Sequence, residues 1–95
     1  MLAVLAGGTG SAKLVRGLAK TVTDNITIIV NVGDNIKLHG LHICPDIDTI
    51  LYTLSDQLNS GQGWGIKDDT YNFLHQVSKY GYDDWFKLGD KDLAL

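Results

Sequence analysis

A chain of 95 residues holds one small domain with a modest core. With 44% hydrophobic and 20% charged residues it has the makeup of a soluble globular protein, without repeats, charge blocks or low-complexity tracts. Its net charge of −3 argues against nucleic acid or membrane held by bulk attraction, so any anion must be bound by local geometry. No apolar run approaches the length of a membrane span, and residues 1–6 lack the basic leader and cleavage pattern of a signal peptide. A lone cysteine, Cys44, excludes a disulfide framework, and a reducing cytoplasm is the expected location.

Leu2 to Ala6 reads as a buried strand of a parallel sheet, cut off by Gly7-Gly8. Ser11 is placed to cap a helix from Ala12 to Lys20, with Ala12, Val15, Leu18 and Ala19 on one face. Residues 26–32 are rich in β-branched side chains and read as a second buried strand. Strand, glycine turn, helix and strand together open a βαβ unit with a right-handed crossover, which sets the class as α/β. Gly33 to Cys44 has no clean period and reads as a functional loop. Ile47, Ile50, Leu51, Leu54 and Leu58 recur at helical spacing, so Asp46 to Leu58 is expected as an amphipathic helix with Pro45 at its start. Gly61, Gly63 and Gly65 then punctuate a loop that holds Trp64. Asp69 to Tyr80 is expected as another helix, with Phe73, Leu74, Val77 and Tyr80 on one face and Gly81 as its stop. Leu93-Ala94-Leu95 looks like a helix beginning, so the fold is expected to continue past it.

Several groups of residues point to chemistry. Gly7, Gly8, Thr9 and Gly10 stand between a strand and a helix, where backbone N–H groups and the helix dipole can receive a phosphate, with Lys13 one turn on. The bland reading is a tight turn without a ligand, and neither named glycine fingerprint is matched. Asp34 follows the second strand, at the carboxyl edge where α/β proteins place ligands. Asp46 and Asp48 fall in the first turn of the next helix, where carboxylates also serve the helix dipole. Carboxylates beside such a loop suit a hard divalent cation, and magnesium on a diphosphate is the natural use. Asp46 and Asp48 are two apart on a helix, so at most one is expected to touch the metal. His39, His42 and Cys44 are soft ligands within six positions, but a zinc site needs more than this cluster supplies. Cys44 reads as a small filler and His75 as structural or solvent-facing. Trp64, Trp85 and Phe86 offer flat apolar surfaces that serve a planar ligand or close a core edge. Lys91 stands between Asp90 and Asp92, either as a solvated trio or as a cation facing a phosphate or a flavin-like group.

The stretches GGTGSAKL (7–14), VNVGDN (30–35), HGLHICPDIDT (39–49), GWG (63–65), YGYDDWF (80–86) and LGDKDLA (88–94) occur in an order and spacing that resembles the start of the 2-phospho-L-lactate transferases. Asn35 stands where many relatives carry a second acid, and Lys91 where arginine is usual. The resemblance implies a Rossmann-like three-layer α/β/α fold with a mainly parallel sheet, of which residues 1–95 are the amino-terminal part of a single domain. It implies an enzyme of coenzyme F-420 biosynthesis. Such enzymes join a phospholactyl or phosphoenolpyruvyl group, carried on guanosine diphosphate, to the ribityl hydroxyl of the deazaflavin Fo. GMP is released and magnesium is required. Carried onto this chain, Gly7, Gly8, Thr9, Gly10 and Lys13 are expected on the nucleotide and phosphate, and Asp48 and Lys91 on the deazaflavin. Asp34 and Asp46 are expected on the metal, and Asp34, Asp46 and Asp48 as the catalytic set. A homodimer is expected of the full-length form, and no activity of residues 1–95 alone.

A sister group of non-catalytic regulatory proteins that bind a nucleotide-sugar shares the glycine-loop opening. It carries a Thr-Asp-Asp-Gly-Gly run where this chain has Val32-Gly33-Asp34-Asn35, which favours the enzyme. A plain dinucleotide-binding module fits less well, because the turn is not G-x-G-x-x-G.

Overall fold

A computed structural model of the chain describes residues 1–94 and forms two compact units, the first spanning residues 1–57 and the second beginning at Leu58. The first holds β1 (Leu2–Ala6), α1 (Thr9–Thr21), β2 (Ile26–Val30), β3 (Ile36–Leu38), β4 (Leu41–Ile43) and α2 (Pro45–Leu54). The second holds α3 (Asn72–Lys79) and the short α4 (Asp90–Leu93).

β1 and β2 pair in parallel, from Leu2 opposite Ile26 to Ala6 opposite Val30, with α1 as the crossover. This is the α/β arrangement expected from the strand, glycine turn, helix and strand order. Ala6, Ala12, Val15 and Ile50 form the buried core, with Val4, Ile28 and Val30 against it. The two strands were expected to be buried throughout, but they are buried on one face. Successive side chains of a strand point to opposite faces, and the core residues all lie on the face that α1 and α2 cover. On the other face Leu5 is 81% exposed and Ile29 55%.

α1 starts at Thr9, three residues ahead of the expected Ala12, with Gly8 as N-cap. Ser11 is inside the helix and does not cap it. Its hydroxyl reaches back and accepts the Gly7 N–H at 2.9 Å, tying the glycine loop to the first turn. Ala12 and Val15 are buried as expected, whereas Ala19 is exposed.

The stretch read as a loop, Gly33 to Cys44, contains a β-hairpin. Ile36 pairs with Ile43, Lys37 with His42 and Leu38 with Leu41. The two turn residues, His39 and Gly40, have φ of +53° and +76°, the signs a two-residue type I′ turn requires. Histidine at the first turn position, in place of the usual Asn or Asp, hides the hairpin from a reading by turn chemistry.

α2 begins at Pro45 as expected but stops at Leu54 and does not reach Leu58. Asp56 takes φ +59°, its N–H bonds the Thr53 carbonyl, and the Gln57 N–H bonds the Tyr52 carbonyl. That pair of bonds is the Schellman stop, here closed by aspartate where glycine is usual. The buried face is Thr49, Ile50, Tyr52 and Thr53, while Leu51 and Leu54 are exposed. The two threonine hydroxyls bond the carbonyls of Pro45 and Thr49, so their burial leaves no polar group unmet.

In the second unit Leu58 bridges Ile66, closing a loop in which Gly63 and Gly65 take φ of +80° and +75° on either side of Trp64. Ile66, Leu74 and Leu88 are buried. α3 spans Asn72 to Lys79, shorter at both ends than the expected Asp69 to Tyr80. Its C-terminal stop is the expected one. Gly81 takes φ +81°, and the N–H groups of Gly81 and Tyr82 bond the carbonyls of Ser78 and Val77. Among the described residues, no helix is long and apolar enough to cross a membrane.

Candidate active site at the carboxyl edge of the parallel strands

Because β1 and β2 run in parallel and in register, their carboxyl ends deliver Gly7 and Asn31 side by side. The Asn31 N–H extends the ladder by bonding the Ala6 carbonyl at 2.9 Å. The carboxyl edge is where open α/β sheets take their ligands. A cavity of about 320 Å³ beside it, lined by Leu5, Ala6, Gly7, Ile29, Val30 and Asn31, takes in the uncovered face of the strand pair, which bears Leu5 and Ile29.

Asp46, in the first turn of α2, lies against the glycine loop. A Cβ on Gly8 would stand 3.2 Å from Asp46 Oδ1, and one on Gly7 would stand 3.9 Å from Asp46 Oδ2. The Gly8 distance is tighter than an ordinary packing contact, so a side chain there would push the carboxylate aside by a few tenths of an ångström, whereas the Gly7 distance is ordinary van der Waals contact. The Asn31 side-chain amide donates to Asp46 Oδ2 at 3.1 Å, and its Oδ1 accepts the Gly33 N–H at 3.1 Å. Asn31 therefore ties three segments together: the strand end, the Val32–Asn35 turn that carries Asp34, and the head of α2. Sequence reasoning passed over Asn31 as a site residue. The signal was present, since a polar residue ends an otherwise apolar strand just where the ligand edge begins.

The other expected site residues fall as follows. Thr9 and Gly10 are exposed in the first turn of α1, and nothing lies within 4 Å of a Cβ built on Gly10. That turn has no side-chain cap and no acidic residue of its own. Lys13 is exposed on α1, and Asp34 is exposed in the Val32–Asn35 turn, closed by the Asn35 N–H on the Val32 carbonyl at 3.2 Å. Asp48 is half-buried in the first turn of α2. Lys91 is exposed on α4, in the second unit. The structure thus brings Gly7, Gly8, Asn31 and Asp46 together.

A carboxylate and a phosphate repel across one small loop. At 4 Å two like charges cost about 1 kcal/mol in water and about 4 kcal/mol at a partly shielded surface. A hard divalent cation between them reverses the sign. Magnesium is held by one or two carboxylates, with water and substrate phosphate completing the shell. Asp46, oriented by Asn31, fits that donor set. Among the described residues no three His, Cys, Asp or Glu groups stand close enough to hold one ion. His39 lies in the hairpin turn, His42 on β4 has Nε2 3.4 Å from Asn35 Nδ2, and Cys44 is the N-cap of α2.

In the second unit Trp64, Trp85, Phe86 and Lys87 line a largely apolar cavity of about 310 Å³. Trp85 and Phe86 meet edge to face, with ring centroids 5.4 Å apart.

The model of the 2-phospho-L-lactate transferase CofD family matches residues 2–95. The chain belongs to the CofD family. Within it, the phosphoenolpyruvate transferase of Streptomyces avermitilis is 47% identical over 95 residues, covering 98% of this chain and 30% of its own length. The 2-phospho-L-lactate transferase of Methanocorpusculum labreanum is 43% identical over 95 residues, covering 99% of this chain and 31% of its own. The phosphoenolpyruvate transferase of Mycobacterium ulcerans is 42% identical over 106 residues. The chain thus spans about a third of the length of these CofD relatives.

Proposed function

We propose that this chain supplies the phosphate- and metal-handling edge of a transferase that moves a phospholactyl or phosphoenolpyruvyl group from a guanosine diphosphate carrier to the ribityl hydroxyl of the deazaflavin Fo. The observation that carries the reading is the Asp46 carboxylate held by Asn31 against Gly7 and Gly8. A diphosphate donor suits this place. Backbone N–H groups of the loop and of the first turn of α1 would receive phosphate oxygens, and Asp46, with Asp34 as second candidate, would hold the magnesium. When bound, that ion neutralises charge on the transferring and leaving phosphates. The hydroxyl oxygen attacks the phosphorus that bears the three-carbon acid, the bond from that phosphorus to the bridging oxygen breaks, and GMP leaves. The hydroxyl proton passes to a carboxylate, for which Asp48, Asp34 and Asp46 are the candidates. Asp48 and Lys91 are assigned to the acceptor. The task is one of positioning and charge neutralisation.

The test is made in a protein of the relatives' full length that carries residues 1–95. It is incubated with Fo, the guanosine-activated phospholactate or phosphoenolpyruvate and magnesium, and GMP and the phosphodiester product are measured. Stoichiometric release of both is expected, and abolished by Asp46→Asn. Donor binding without turnover would instead favour a regulatory nucleotide-binding protein.

A further inference from the structure

Neither α3 nor α4 is capped by its own N-cap side chain. Each is capped by an aspartate of the other segment. Asp90, the first residue of α4, reaches to the start of α3. Its Oδ2 accepts the Thr70 hydroxyl at 2.6 Å and the Asn72 N–H at 3.1 Å, and its Oδ1 accepts the Phe73 N–H at 2.9 Å. Asp69, just ahead of α3, does the converse. Its Oδ1 accepts the Lys91 N–H at 2.8 Å and its Oδ2 the Asp92 N–H at 3.2 Å. The Asp90 N–H on the Thr70 carbonyl at 2.7 Å closes the interlock. Gly89 is buried beside it, and a Cβ there would run into the Asp69 carboxylate. Charge-assisted bonds to a carboxylate are among the stronger hydrogen bonds a protein makes. The backbone of Lys91 is therefore fixed by Asp69, while its side chain is exposed.

We propose that Asp69 and Asp90 are positioning residues that aim Lys91 at the acceptor substrate. The proposal rests on the reading of Lys91 as an acceptor contact. Asp69 holds the Lys91 and Asp92 amides, and Asp90 anchors the α3 start from which Asp69 projects. Gly89 is required because the two segments meet without room for a side chain.

The test uses a protein of the relatives' full length carrying residues 1–95, with Asp69→Ala, Lys91→Ala and the double variant. Asp69→Ala is expected to raise the KM for Fo roughly tenfold and leave the donor KM within about twofold. It should add nothing once Lys91 is alanine, because both changes remove one interaction. Exchange of the Lys91 and Asp92 amides should accelerate. Additive effects in the double variant, or equal losses toward donor and acceptor, would reduce Asp69 to a structural role and overturn the proposal. An unchanged Fo KM in Asp69→Ala, with Lys91→Ala impaired, overturns the positioning alone. An unchanged Fo KM in Lys91→Ala overturns the acceptor reading of Lys91 and the proposal with it. If Asp69→Ala does not fold, Asp69→Asn carries the test. It keeps an acceptor for the Lys91 amide and loses the one for Asp92, so a rise of a few-fold is expected and no rise is the refuting result.

Discussion

Asn31 shows how much one side chain can organise at a sheet edge. Its amide donates to Asp46 while its carbonyl accepts from Gly33, so the acid and the turn that carries Asp34 move together. Asn31→Ala removes one exposed hydrogen bond to a carboxylate and one turn bond. It should cost no more than about 1 kcal/mol of stability. Affinity for magnesium and the guanosine donor should fall several-fold in the full-length protein, because Asp46 is then free to leave the glycine loop. Calorimetric titration beside a thermal melt separates the two, and unchanged donor affinity would deny Asn31 its role. The glycines differ in what they tolerate. A Cβ on Gly8 meets Asp46 Oδ1, whereas one on Gly10 meets nothing. Gly10→Val should therefore fold, since the added Cβ meets nothing and valine is no worse a helix former than glycine, and still lose the donor, because its side chain blocks backbone approach to the phosphates. Equal donor affinity in a folded Gly10→Val variant would remove the phosphate-loop assignment.

At the scale of elements, the start of α3 has a pH dependence of definite sign. The Thr70 hydroxyl, and after it the Phe73 N–H, hold the Asp90 carboxyl below its ordinary value of 3.8, against a smaller opposing effect of burial. A carboxylate depressed in the folded state contributes stability that is fully present above its unfolded value and is lost as pH falls through the folded one. The bonds of Asp90 to the start of α3 should thus be intact from neutrality down to about pH 4, and be lost only in stronger acid. The carboxyl-carbon shift of Asp90 should titrate with a midpoint below 3.8, and protection of the Phe73 amide should fade over the same range. A midpoint at or above the ordinary value would contradict the bonds described. The hairpin works at this scale too, since what reads as a functional loop is a hydrogen-bonded connector from β2 to α2.

For the molecule as a whole, the parallel pair has one covered face and one open face bearing Leu5 and Ile29. Parallel sheets are stable when both faces are covered, and two strands alone are marginal. Together with the span of about a third of the relatives' length, this leads us to predict that the 95 residues by themselves turn over no substrate. Incubation with Fo, the guanosine-activated donor and magnesium checks it. Turnover comparable to that of a full-length relative would show that the edge described here is sufficient.

Much was readable from residue type and spacing because it is locally determined. Apolar β-branched runs, a glycine break and a helical period specify β1, α1 and β2 through backbone preference alone, and Gly81 marks the end of α3 because it takes a positive φ without strain. The motifs likewise place the chain in its family before any coordinate is seen. The misplaced features depended on partners distant in sequence or on exceptions to turn chemistry. The hairpin was hidden because histidine occupies a positive-φ position, and α2 was drawn too long because aspartate closes its Schellman stop. Ser11 looked like a cap, yet its hydroxyl is taken by Gly7. No spacing rule links Asn31 to Asp46 across 15 positions, or Asp69 to Lys91 across 22. Those pairings exist because parallel strands deliver their carboxyl ends to one edge, and because two helix starts without a cap of their own meet where Gly89 leaves room. Tertiary packing alone decides which carboxylates face the glycine loop and which cap helices.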